Sequence, residues 1–244
     1  MDRFFIDKDA KLSNIIDNKD DVKHISKVLR LKQGNKIEIV DKNHIEYIAE
    51  IETVDKDSIE FNLIEEVKIS RELPVDINLY QGIPKGQKLD TIVQKATELG
   101  IRSIIPVSFK RCVAEIKGEK EDKKLQRLNR VAYEASKQSK RTQIPVVEAS
   151  CSFKAFKESI KKNDLNIVFY ENHRDVSLKS FLSERDLSTV KSIGVIIGPE
   201  GGFEPEEIKE IEELDISVLS LGNRILRTET AAIAALAIIS NEFN

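Results

Sequence analysis

From Pro74 onward, short apolar runs of strand length alternate with segments whose apolar residues recur at helical spacing. The runs fall at residues 75–80, 104–107, 166–170, 192–197 and 216–219. Between the first two, Leu89, Ile92, Val93, Ala96 and Leu99 make a strict helical stripe closed by Gly100, and Leu125, Leu128, Ala132 and Ala135 mark a longer helix further on. Pro205, followed by Glu206 and Glu207, predicts a helix start, because proline fits the first helical position and acids favour the positive end of the helix dipole. Thr228 is expected to cap a last, alanine-rich helix reaching about Phe243. Strands that are apolar throughout are covered on both faces, and strand–helix alternation supplies the covering helices. The expected class is therefore α/β with a mostly parallel sheet.

The chain before Pro74 has a different texture. Ile37 and Ile39, then Ile45, Tyr47 and Ala49, then Ile59, Phe61 and Leu63 alternate at period two, with breaks at Lys42-Asn43 and Asp55-Lys56-Asp57. Ahead of them Val22, Ile25, Val28 and Leu29 have helical spacing, and Gly34 is expected to end that segment. A small β-barrel or meander with one short helix follows, joined at Arg71-Glu72-Leu73-Pro74, where the residue before proline is pushed out of helix. The expected domains are 1–73 and 74–244.

No apolar stretch approaches the roughly 20 residues of a membrane span. Acidic Asp2 and Asp7 flank a short apolar start that does not read as a signal peptide. Two cysteines and three scattered histidines form neither a disulfide framework nor a metal cluster. The expectation is a cytoplasmic protein with reduced thiols and no metal. The net charge of −3 hides an uneven distribution: residues 1–84 carry −5, residues 85–145 carry +8 and residues 146–244 carry −6. A basic middle in an acidic chain fits either an electropositive face for phosphate backbones or lysines and arginines that only solvate helices.

Two connections concentrate chemistry. Ile197-Gly198-Pro199-Glu200-Gly201-Gly202-Phe203 follows a buried strand and precedes a helix. Such a bent backbone serves equally as a tight turn or as a loop that lets a ligand approach closely, and a side chain at Gly201 is expected to fill ligand space. The spacing matches neither the dinucleotide fingerprint nor a P-loop. The second connection, residues 219–231, packs Arg224, Arg227, Glu229, Thr228 and Thr230 into one strand–loop–helix junction, at the strand end where open α/β sheets bind ligands.

Ile-Gly-Pro-Glu-Gly-Gly-Phe, followed by Leu221-Gly222-Asn223-Arg224-Ile225-Leu226-Arg227-Thr228-Glu229-Thr230-Ala231, resembles the double signature of the RsmE family, SPOUT-class methyltransferases that form 3-methyluridine in the decoding region of 16S rRNA. The resemblance extends to residues 24–34, 84–100 and 134–145, with Lys140 where glycine is common and Asn223 where proline is common. It implies a PUA-like N-terminal barrel, a trefoil knot within 166–244, a homodimer, S-adenosylmethionine as cofactor and the small ribosomal subunit as partner. It also implies three cofactor loops: Tyr170 and Glu171; Ile197, Gly198, Pro199, Glu200, Gly201 and Gly202; and Leu219, Leu221, Gly222, Ile225, Leu226, Thr228, Thr230 and Ala231. Arg224 and Arg227 are the candidate catalytic cations, and Glu229 or Glu200 the candidate proton acceptor. Arg3, His24, Lys27, Arg30 and Lys32, with Lys124, Arg127, Lys137 and Arg141 of the basic helix, are the candidate RNA contacts. Two alternatives share parts of this pattern: a SPOUT enzyme methylating tRNA ribose, and a non-catalytic RNA-binding factor for ribosome assembly.

Overall fold

The computed structural model describes residues 1–114, 119–172 and 176–244, with backbone alone at 119 and 120. Two compact units result: Met1–Glu72 together with Lys137–Gln143, and Leu73–Ser136 together with Ile144–Asn244.

The first unit contains strands β1 (Arg3–Phe5), β2 (Ile15–Ile16), β3 (Lys36–Val40), β4 (Glu46–Val54) and β5 (Ile59–Val67), ordered β1-β3-β4-β5-β2. The pairs are antiparallel except β1 with β3. The period-two residues Ile37, Ile39, Tyr47, Ala49, Ile51, Ile59 and Phe61 all turn into one core with Phe4 and Ile25. The short helix α1 (Lys19–Lys23) continues as a π-helical turn over His24–Leu29. It stops at Arg30 rather than Gly34, because Arg30 takes the left-handed conformation (φ 53°) and its N–H closes onto the Ile25 carbonyl. Sequence periodicity missed β1 and β2, whose few residues are too short to show a period.

The segment Lys137–Gln143 belongs to this unit through charge. Arg3 is 2 % exposed: its Nε lies 3.0 Å from Glu38, its Nη2 2.5 Å from Glu46, and its Nη1 donates to the Arg141 carbonyl at 2.7 Å. Lys140 reaches Glu38 at 2.8 Å, from a left-handed backbone (φ 62°), a conformation that favours glycine. Arg141 is buried against Glu72 at 2.6 Å, and Glu72 also accepts the N–H groups of Thr142 and Gln143 at 2.8 and 3.1 Å. Burial pushes the Glu38 and Glu72 carboxyls up, but the cations and amides facing them win and hold both below the usual carboxylate range.

The second unit is the expected α/β sheet. Strands β6 (Asp76–Gly82), β7 (Ser103–Ser108), β8 (Val146–Val147), β9 (Cys151–Ser152), β10 (Leu165–Phe169), β11 (Ser192–Ile197) and β12 (Ser217–Leu219) pair in parallel throughout. Their order is β12-β10-β11-β6-β7-β8, with β9 on β7. Helices α2 (Lys88–Glu98), α3 (Glu119–Gln138), α4 (Phe153–Ser159), α5 (Leu178–Ser183) and α6 (Pro205–Glu212) connect them, and α7 (Thr228–Asn241) follows the last strand. Successive side chains point to opposite faces, and both faces are apolar. Ile77 and Leu79, Ile167 and Phe169, and Val195 and Ile197 pack with α2 and α7, while Tyr80, Val168 and Ile196 pack with Phe156 of α4 and Ile208 of α6. Among the described residues no helix is long and apolar enough to cross a membrane.

Candidate functional site

The carboxyl ends of β10, β11 and β12 release three loops that line one cleft of about 300 Å³ in the second unit. The Tyr170 N–H donates to the Leu219 carbonyl at 3.1 Å, which sets the first loop beside the third. In the second loop Gly202 N–H closes a turn onto the Pro199 carbonyl at 3.0 Å. Only glycine fits Gly202 comfortably: φ is +69°, and an added Cβ would lie 2.8 Å from a Glu171 carboxylate oxygen. Phe203 is buried beneath the loop, edge-on to Phe109 with centroids 4.9 Å apart. In the third loop the Ser220 hydroxyl accepts the Gly222 N–H at 3.1 Å, turning the chain at Gly222 (φ +106°).

Most of the expected loop residues face the cleft, and Arg224 and Arg227 face it too. Among the described residues neither arginine forms an ion pair, and both are exposed. Three expected cofactor residues do not line it. Leu219 is buried in the core, Thr230 points to solvent, and Gly201 faces outward. A Cβ on Gly201 would meet Arg111 at 3.0 Å rather than a ligand, and Arg111 donates to the Gly201 carbonyl at 3.1 Å.

Thr228 does not cap the last helix. Arg227 holds the N-cap position without a side-chain cap bond, and the Thr228 hydroxyl donates instead to the Gly198 carbonyl at 2.7 Å. Glu229 also lies outside the lining, with its carboxylate 3.6 Å from Lys88 Nζ and one oxygen buried without a hydrogen bond. That separation is an ion pair but is too long for a hydrogen bond, so the two observations agree. Glu200 lines the cleft yet is occupied: it accepts Lys88 Nζ and the Lys85 N–H, each at 3.0 Å. Burial pushes its carboxyl up, and these two donors bring it below the usual range.

Sequence reasoning missed Lys88, Phe169, Phe203 and Ser220, all of which line the cleft. Phe203 and Ser220 stand inside the two connections themselves, so counting every residue of each loop finds them. His173 lies outside the described residues.

The basic residues divide sharply. Lys27, Arg30 and Lys32 are exposed around an open depression of the first unit that also includes Glu52 and Asp55, and His24 sits half-buried edge-on to Phe4. Arg3 and Arg141 are buried in the ion pairs described above and present no surface to RNA. Lys137 is also spoken for, 3.1 Å from Asp21 and 4.4 Å over the Phe4 ring. Arg127 pairs with Asp90, and burial lowers the Lys124 ammonium. The concentration of charge in 85–145 therefore overstates the electropositive surface, because acids distant in sequence neutralise much of it. Lys137, a candidate RNA contact, thus holds a structural pair instead of a free surface charge.

Comparison with known proteins bears on all of this. A family model described as an RNA methyltransferase domain matches residues 71–240, and one described as an RNA methyltransferase PUA domain matches residues 16–64. The chain is 36 % identical over 223 residues to ribosomal RNA small subunit methyltransferase E of Bacillus subtilis, covering 91 % of this chain and 87 % of that one. It is 30 % identical over 243 residues to the protein of that name from Buchnera aphidicola, covering 99 % and 93 %. The crystal structure of ribosomal RNA small subunit methyltransferase E from Neisseria gonorrhoeae, bound to S-adenosyl methionine, superposes with a TM-score of 0.85 at 28 % identity, covering 100 % and 98 %. An RNA methyltransferase unit with its strand-end cleft, preceded by a PUA unit, thus places this chain in the ribosomal RNA small subunit methyltransferase E family.

Proposed function

We propose that the protein transfers the methyl group of S-adenosylmethionine to N3 of a uridine in the decoding region of 16S rRNA, acting on the small ribosomal subunit. One observation carries the reading: three strand-end loops line a single cleft with backbone and apolar groups, and two unpaired arginines stand beside it. The residues present fit such a cofactor. Ile197, Leu221 and Leu226 offer apolar surface to a purine and the methylene groups of the cofactor, Gly198, Gly202 and Gly222 let backbone polar groups approach, and Ile225 is 85 % exposed beside them. When bound, S-adenosylmethionine supplies an electrophilic methyl group on sulfur.

Uridine N3 carries a proton and lacks a free lone pair, so the site must favour the deprotonated base, with the proton passing to solvent water at the cleft. Arg224 and Arg227 do this by placing fixed positive charge beside it, and their loop aligns the ring for in-line attack. Glu200 is a poor proton acceptor, being held ionised by Lys88 and the Lys85 amide. Its role is to fix the start of α2 against the glycine loop.

The remaining parts of the reading rest on separate support. Residues 1–73, completed by the returning stretch Lys137–Gln143, act as the RNA-binding domain, and the remainder of 74–244 as the methyltransferase domain. Cofactor binding involves Gly201, Leu219 and Thr230 only through the loops they shape. The order β12-β10-β11, with the last strand beside the tenth, supports a trefoil-knotted segment within 166–244. Exposed Ile238, on a helix apolar around most of its circumference, supports a homodimer. Lys27, Arg30 and Lys32 form the best-supported RNA surface. The protein works in the cytoplasm, where its substrate is made. Mass spectrometry of nucleosides from 16S rRNA of cells lacking the protein tests the function. Loss of 3-methyluridine, restored by the wild-type gene, is expected; an unchanged 3-methyluridine level would overturn it. A methylated ribose missing from tRNA instead would favour the alternative substrate.

A further inference from the structure

Gln81 lies at the end of β6, a central strand next to β11, and is 0 % exposed. Its side-chain nitrogen donates two hydrogen bonds of 2.9 Å, one to the carbonyl of Gly82 and one to the hydroxyl of Thr228. A backbone carbonyl can only accept, so the amide nitrogen must face this way. The amide oxygen is then turned to a place where it is buried with no partner among the described residues. Leaving a buried acceptor unmatched is unfavourable, and an apolar side chain of similar shape would avoid it. The chain keeps the amide nonetheless.

Its effect is on Thr228. A threonine hydroxyl has one proton, and with Gln81 donating into its oxygen that proton is directed outward, to the Gly198 carbonyl at 2.7 Å. Gly198 opens the loop after β11, and Thr228 opens α7. One relay therefore spans two of the three walls of the cleft. The loop also has no slack towards β6, because a Cβ on Gly82 would lie 2.4 Å from the Pro199 nitrogen.

We infer that Gln81 is a positioning residue for the cleft: through Thr228 it holds the glycine loop and the first turn of the last helix at the separation that admits an adenosyl thioether ligand. The inference rests on the cofactor reading above, and calorimetric titration of the full-length protein with S-adenosylhomocysteine separates the two. Gln81→Met and Thr228→Val should each weaken binding by about tenfold, in the range expected for one broken buried hydrogen bond. The double variant should bind no more weakly than either single one, because both remove the same relay. Thr228→Ser keeps the hydroxyl and should bind like the wild type. Ligand-free melting curves identify the folded variants. If Gln81→Met does not fold, the serine and valine variants decide: equal affinities would overturn the relay. Unchanged affinity in folded variants, or losses that multiply in the double variant, would also overturn it. A wild type that does not bind S-adenosylhomocysteine would instead remove the cofactor reading, and this inference with it.

Discussion

In the N-terminal unit the guanidinium groups of Arg3 and Arg141 are sunk among Glu38, Glu46 and Glu72, whereas in the methyltransferase unit those of Arg224 and Arg227 stand exposed at a cleft without an acidic partner among the described residues. The side chains are chemically identical, and their surroundings set their work. A buried arginine ringed by carboxylates fixes one arrangement of chain segments. An exposed one beside a cavity keeps its charge available to whatever enters.

The comparison breaks most visibly under truncation. Arg3→Met leaves Glu38 and Glu46 short of their buried partner and should cost about 3–5 kcal/mol of stability, read by urea unfolding. A loss below about 1 kcal/mol would mean that the buried cluster is no stronger than surface pairs. Arg224→Met and Arg227→Met should do the reverse: turnover on the ribosomal substrate falls by about 10²-fold for removal of one charge-stabilising group, while the melting temperature stays level. Normal turnover would end the assignment of these two residues.

Acid sharpens the contrast. The Glu38 and Glu72 carboxyls have folded pKa values below the ordinary 4.5, so their stabilisation is complete above that pH and is lost as pH falls through the depressed folded values. Thermal melts at descending pH should show a steep loss in this window, and Glu72→Gln should flatten it. An equal slope in the variant would assign the acid sensitivity to other carboxylates. The smallest effect belongs to the exposed cations of the first unit. Neutralising Lys27, Arg30 and Lys32 together should reduce the salt dependence of RNA binding by a log–log slope of roughly 2–3, at about 0.7–0.9 per phosphate contact. An unchanged slope would move the RNA surface elsewhere.

These cases also mark what the sequence could disclose. The strands of the second unit were legible because Ile167 and Val195 on one face of the parallel sheet and Val168 and Ile196 on the other are all apolar, and the glycine loop was legible because Gly198, Gly201 and Gly202 cluster between a strand and a helix start, with Gly202 taking φ +69°. Arg224 and Arg227 could be placed at the cleft because their loop follows a strand end. The fate of Arg3 could not be read, since its partners stand 35 and 43 positions away and no local pattern encodes such a pairing. Thr228 was misread for a related reason: a threonine at a helix start favours capping locally, and its hydroxyl donates to a tertiary partner, the Gly198 carbonyl, instead.

The return of Lys137–Gln143 to the first unit bears on how such a protein can be divided and inherited. Glu72, at the end of the first stretch, is satisfied by a side chain and two amides that the chain supplies about seventy residues later. A gene fragment ending at the junction would encode the PUA strands without Lys140, Arg141 and the amides that complete their charge cluster. Recombination at that single point would therefore deliver an incomplete module. Exchange between relatives is expected to succeed only when both stretches travel together, which ties the ancestry of the PUA half to that of the methyltransferase half.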